Sequence, residues 1–102
     1  MRTIHIDTSN QHVTRISLDI DGQIFSEESD SRLLKSQMTL PLIEELLRVR
    51  SLRVSDITDI RVHQGPGSFT GLRVGISIAN ALAFLYQIPI NESNKLATAH
   101  YS

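Results

Sequence analysis

Gly65-Pro66-Gly67-Ser68-Phe69-Thr70-Gly71-Leu72-Arg73-Val74-Gly75 joins two segments of different periodicity. Before it, residues 57–63 alternate, with Ile60 and Val62 apolar and Arg61 and His63 polar. That period of two predicts a strand with one dry face. After it, the apolar pattern predicts a helix over 69–86. A Gly-rich turn between strand and helix is an anion site in the making, because free N–H groups and the helix dipole converge there. Gly65, Gly67, Ser68 and Thr70 would form it, and Ser68 could also cap the helix. Against this stands a purely structural reading. The run lacks the Gly-Lys-Ser/Thr ending of a Walker loop and does not have the Gly-x-Gly-x-x-Gly spacing. A tight turn alone accounts for the two early glycines.

The helix itself carries more information. Gly71, Gly75, Ala79 and Ala83 make a stripe of small residues four apart, which lets another backbone approach closely. Two glycines inside a helix cost about 1 kcal/mol each against alanine, and close packing would offset that. Val74, Ile78, Leu82 and Leu85 form a bulky stripe, and Leu72 and Ile76 lie on another side. A helix apolar almost all round is buried almost all round. One face can meet a sheet and one a second helix. The remaining surface implies a partner chain, unless the domain wraps its own core tightly around the helix.

The rest of the chain supplies that sheet and second helix. Residues 2–8 and 13–20 alternate like strands, and Asp21-Gly22 is a two-residue hairpin signal leading into a return strand over 23–28. Residues 36–50 change period: Met38, Leu42 and Leu46 recur every four positions beside Ile43 and Leu47, as in a helix that Ser36 or Thr39 could cap. Ile90 after Pro89 begins a fifth strand through residue 95, and 96–101 reads as a last short helix. The order is βββαβαβ.

With 102 residues, 40% apolar and 21% charged, the chain is one domain with enough apolar content for a core. A net charge of −1 and dispersed basic residues argue against a general nucleic-acid grip. There is no cysteine, hence no disulfide, thiol nucleophile or cysteine metal site, a balance that suits the cytoplasm. No signal segment and no membrane span are visible.

The 65–75 run resembles the signature of the TsaB (YeaZ) family, the dimerisation subunit of the bacterial machinery that makes threonylcarbamoyladenosine in tRNA. Asp7-Thr8-Ser9 at the end of the first strand, the helix from Ser36-Gln37 through Leu46-Leu47, and Ile88-Pro89-Ile90 agree with it. The resemblance covers the whole chain but only the N-terminal half of a usual member. It implies an α/β fold: a single actin-like, ribonuclease-H-like lobe over 1–102, with a mixed sheet of about five strands, two main helices packed on it, and the second lobe absent. The polar alternate positions Thr3, His5, Arg15, Ser17, Asp19, Arg61 and His63 imply that the other face of the sheet meets water. That points to a naturally shortened member, with sequence drift or an expression boundary as the alternative.

The family implies a non-catalytic interaction subunit. It pairs through its two N-terminal helices with TsaD, the catalytic subunit that transfers the threonylcarbamoyl group to adenosine at tRNA position 37. A TsaE-like ATPase joins the pair, and the same surface also supports a homodimer. Met38, Leu42, Leu46, Leu72, Arg73, Ile76 and Asn80 are the expected interface, and Ile76→Glu is expected to abolish pairing while leaving the monomer folded. ATP and metal are expected on the partner subunits and no cofactor on this chain. His5, His12, His63 and His100 do not have the His-x-x-x-His spacing with which TsaD holds its metal. No catalytic residue, no direct nucleic-acid contact and no membrane contact are expected. The alternatives are a small nucleotide- or anion-binding lobe using the Gly-rich loop, and a stand-alone homodimeric regulator.

Overall fold

The period-two segments assemble into one sheet in the computed structural model, which describes residues 1–10, 12–29, 35–67, 69–91 and 97. β1 (Arg2–Asp7), β2 (Thr14–Ile20) and β3 (Gln23–Ser29) form an antiparallel meander. β4 (Asp59–Val62) joins the free side of β1 in parallel, giving the order β3-β2-β1-β4. The β2–β3 turn works as its residues dictate. Asp21 and Gly22 both take positive φ, 50° and 95°, and the Gly22 N–H donates to Asp19 Oδ1 at 2.8 Å.

Two helices follow the 3.6-residue period: α1 (Lys35–Arg48) and α2 (Phe69–Tyr86). A short 3-10 turn at Val54–Asp56 leads into β4. α1 packs over β2 and β3, α2 over β1 and β4, and the two helices touch. Thr39 lies buried within α1, so it does not cap it. The far end of α1 is closed by Arg50, whose guanidinium donates to the Leu46 carbonyl at 2.9 Å and stacks 3.8 Å from the Phe25 ring centroid. One side chain therefore caps α1 and ties it to β3.

The core lies between the helix pair and one face of the sheet. Ile4, Ile6, Ile16, Leu18, Ile60 and Val62 come from the strands. Ile43, Leu46 and Leu47 come from α1, and Leu72, Ile76, Ala79, Leu82 and Ala83 from α2. Burying a large aliphatic side chain is worth about 1.5–3 kcal/mol.

Among the described residues the sheet has four full strands, where about five are expected. Ile90 adds a single parallel bridge to Ile60, and then Asn91 turns at φ 49°. The Asn91 side chain takes the place of a strand backbone: its Oδ1 accepts from the Val62 N–H at 2.9 Å and its Nδ2 donates to the Val62 carbonyl at 3.1 Å. The remainder of the expected fifth strand, 92–95, and all of the expected last helix except Ala97 lie outside the described residues.

Candidate functional site

Strand β1 ends on Asp7-Thr8-Ser9, and this corner locks onto the Gly-rich segment. The Thr8 side chain is buried against α2. Its hydroxyl donates to the Gly71 carbonyl at 2.5 Å and accepts the Gly75 N–H at 3.0 Å. A Cβ at Gly75 would stand on Thr8 Oγ1 and lie 3.3 Å from Thr8 Cγ2. A Cβ at Gly67 would fall 2.6 Å from Ser9 Cβ. The close approach that the small-residue stripe permits is therefore made within the chain, by the end of β1, and Ala79 and Ala83 continue it into the core.

The expected loop site is placed by the same contacts. Gly65 has φ 140°, in the region that favours glycine, and precedes a cis bond to Pro66. The Pro66 carbonyl lies 2.9 Å from His63 Nε2. Ser9 packs on Gly67, Thr70 is exposed on the first turn of α2, and Ser68 lies outside the described residues.

Asp7 organises the corner. Its Oδ1 accepts from the Ser9 N–H at 2.9 Å and the Ser9 hydroxyl at 2.6 Å, as an Asp in a capped turn does. Burial pushes this carboxyl up, but the two Ser9 hydrogen bonds, with His63 and Arg15 nearby, outweigh it and hold the group below its ordinary value. A depressed carboxyl stabilises the fold above its unfolded pKa, about 4, and loses that contribution as pH falls through the folded value. Asp7→Asn should therefore be less stable than the parent at neutral pH. In urea titrations the gap should close as the solution is acidified below about pH 4. A gap independent of pH would show that the ionised form does not hold the turn.

The expected interface residues divide. Leu46, Leu72 and Ile76 are only 1%, 0% and 7% exposed, so they belong to the chain's own core and present no side chain outward. Met38 and Leu42 are half-buried on α1 and Arg73 is exposed on α2. Asn80 is engaged within the chain, giving its Nδ2 to the Ala97 carbonyl at 3.0 Å and accepting the Ala97 N–H at 2.8 Å. What α2 does present outward was missed. Phe84, Leu85 and Tyr86 are 76%, 71% and 46% exposed, and Phe84 and Leu85, with Ser77 and Ala81, continue a face on which Arg73 is the one charge of the 18-residue helix. Counting charges along the helix would have found that face.

The opposite face of the sheet is polar and open, as its alternation implies. His5, on β1 beside Arg61 in register, and His63, just beyond β4 and near Asp7, both line a cleft on it that also holds Arg15 and Ser17. Among the described residues no group of three or more His, Asp or Glu side chains is placed to hold a metal ion. No helix among them is long and apolar enough to cross a membrane.

A mixed β3-β2-β1-β4 sheet, helices on one face and a Gly-rich strand-to-helix turn clasped by the end of β1 define an α/β lobe of the YeaZ type. The chain belongs to the family described as TsaD, tRNA N6-adenosine threonylcarbamoyltransferase, whose profile matches residues 31–102. Over 98 residues it is 32% identical to the tRNA threonylcarbamoyladenosine biosynthesis protein TsaB of Escherichia coli K12, covering 96% of this chain and 42% of that protein. The structure of YeaZ from Pseudomonas aeruginosa superposes with a TM-score of 0.81 at 30% identity, covering 87% of this chain and 41% of that one. A shorter stretch of 50 residues is 52% identical to a tRNA N6-adenosine threonylcarbamoyltransferase of Burkholderia pseudomallei, 49% of this chain and 14% of that enzyme. The likeness to TsaB read from residues 65–75 thus extends over nearly the whole chain, which spans about two fifths of the length of its TsaB and YeaZ relatives.

Proposed function

We propose that this lobe is a non-catalytic interaction subunit in the formation of threonylcarbamoyladenosine in tRNA, pairing with a TsaD-type catalytic subunit through its helix pair. The observation that carries the reading is the outward face of α2. Two large exposed apolar side chains, Phe84 and Leu85, end that face of a helix with a single charge. Contiguous exposed apolar surface of this kind marks an interaction site. The relatives supply the pathway: threonylcarbamoyladenosine biosynthesis and threonylcarbamoyl transfer to tRNA. In this reading ATP and metal belong to partner subunits, a TsaE-like ATPase joins the pair, and the complex works in the cytoplasm without this chain touching tRNA.

The docking surface is Met38 and Leu42 of α1 with Arg73, Ser77, Ala81 and Leu85 of α2, rather than the buried Leu46, Leu72 and Ile76. Positions 77, 81 and 85 recur every four residues and share one side of the helix. The test is co-purification of tagged chain with untagged TsaD from the same organism, with light scattering to fix the mass of each species. Leu85→Arg should melt like the parent, because the position is 71% exposed. It should weaken pairing at least about tenfold, the loss of one central apolar anchor. Full pairing by both Leu85→Arg and Ala81→Arg would move the interface elsewhere. A homodimer that never exchanges for TsaD would remove the tRNA-modification role.

A further inference from the structure

The open face of the sheet has an order that pairing through the helices does not use. Across its middle, Ser26, Ser17, His5 and Arg61 are register partners on β3, β2, β1 and β4. Ser17 and Ser26 are linked hydroxyl to hydroxyl at 2.9 Å. Two hydroxyls, an imidazole and a guanidinium side by side supply hydrogen-bond donors and no carboxylate.

A cleft of about 420 Å³ opens over Ser17, His5 and Arg61 of this row, with His63 and Arg15 at one end and the exposed Ile24 as an apolar wall. That volume falls in the range of small-molecule sites, about 300–1,000 Å³. The one carboxylate lining it, Asp7, already accepts two hydrogen bonds from Ser9. Arg15 gives its Nε to Glu28 at 2.6 Å, which anchors the side chain along the sheet. The next row toward the other end is acidic, with Thr3 flanked in register by Asp19 and Asp59.

We propose that this cleft binds a small phosphate-bearing molecule, with Arg61, His5 and the Ser17 hydroxyl as its donors. Arginine and histidine with a hydroxyl are groups that recognise a phosphoryl oxygen set, and the guanidinium fork does so bidentately. Glu28 on one side and Asp19 and Asp59 on the other bound the donor row, so a compact anion is accepted and an extended polyanion is repelled. The site lies on the face of the sheet opposite the helices and is independent of the pairing surface.

The test follows histidine ring signals by NMR in the isolated chain, at fixed pH and low salt, with inorganic phosphate, adenosine monophosphate and a single-stranded oligonucleotide as probes. His5 and His63 should shift saturably with phosphate or the nucleotide, while the exposed His12 stays still. Phosphate alone would assign the site to the free ion, and tighter binding of the nucleotide to a phosphate ester. Arg61→Gln and His5→Gln should each weaken binding at least tenfold with unchanged melting. The absence of a saturable shift, equal movement of His12, tightest binding by the oligonucleotide, or unaltered affinity in both variants would overturn the proposal. Because no partner subunit is present, its failure leaves the pairing role untouched.

Discussion

Ile76→Glu is expected to abolish the folded state, not merely the pairing. Ile76 sits on the inner side of α2 between Leu72 and Ala79, both fully buried, and is itself only 7% exposed. Substitution forfeits about 1.5–3 kcal/mol of apolar burial. It also places a carboxylate on the buried side of the helix, at a penalty of several kcal/mol even after relaxation. A domain of this size starts near the lower end of the usual 5–15 kcal/mol, so the two losses together exhaust it. Circular dichroism should show no cooperative melting transition, whereas Leu85→Arg on the same helix should show one like the parent's. A sharp transition in Ile76→Glu would mean that α2 can turn its Leu72 and Ile76 side outward.

That contrast marks where the sequence is informative and where it is not. The bounds of α2, the Asp21-Gly22 hairpin and the two-faced strands rest on signals within a few residues: a change of period, a pair of positive-φ residues, alternation. Which side of α2 faces inward does not. Leu72 and Ile76, Val74 and Ile78, and Leu82 and Leu85 are equally apolar, so the helix has no polar side to orient it. The orientation is settled by Thr8, 67 residues before Gly75, whose hydroxyl selects the Gly71 and Gly75 side for contact with the sheet. Phe84, Leu85 and Tyr86 are left facing solvent as a consequence.

Only the start of the expected fifth strand falls within the described residues, and its side chains do what no pattern foretells. Ile90 has the right residue type and makes the right bridge, but an asparagine side chain can imitate a peptide group. The Asn91 amide accepts from the N–H and donates to the C=O of Val62, so a side chain satisfies the backbone of β4 at that point. Hydrophobic patterning is blind to that substitution of side chain for backbone. The polar face of the sheet, by contrast, was legible, because alternation in β1, β2 and β4 sorts polar from apolar side chains residue by residue.

Gly75→Ala should lower stability by about 1 kcal/mol net, against the sign of helix propensity. In an exposed helix this change gains about 1 kcal/mol. Here the new methyl meets Thr8 Oγ1 and Cγ2, on a buried side chain with backbone fixed by β1 on one side and Asp7–Ser9 hydrogen bonding on the other. Overpacking of a rigid site costs about 1–3 kcal/mol. If Thr8 yields instead, its hydroxyl loses the Gly71 carbonyl and the Gly75 N–H, and unsatisfied buried groups cost about 1–3 kcal/mol. Either response exceeds the propensity gain. Thr8→Ala alone should also destabilise, by removing that hydroxyl and leaving a small void. The double variant should then be more stable than the sum of the singles predicts, because the methyl introduced at position 75 enters the space Thr8 vacates. Urea titration of the four proteins measures the coupling, expected at about 1–3 kcal/mol for residues in direct contact. Strict additivity would mean that Thr8 and Gly75 do not interlock, and the orientation of α2, with the face it leaves exposed, would need another cause.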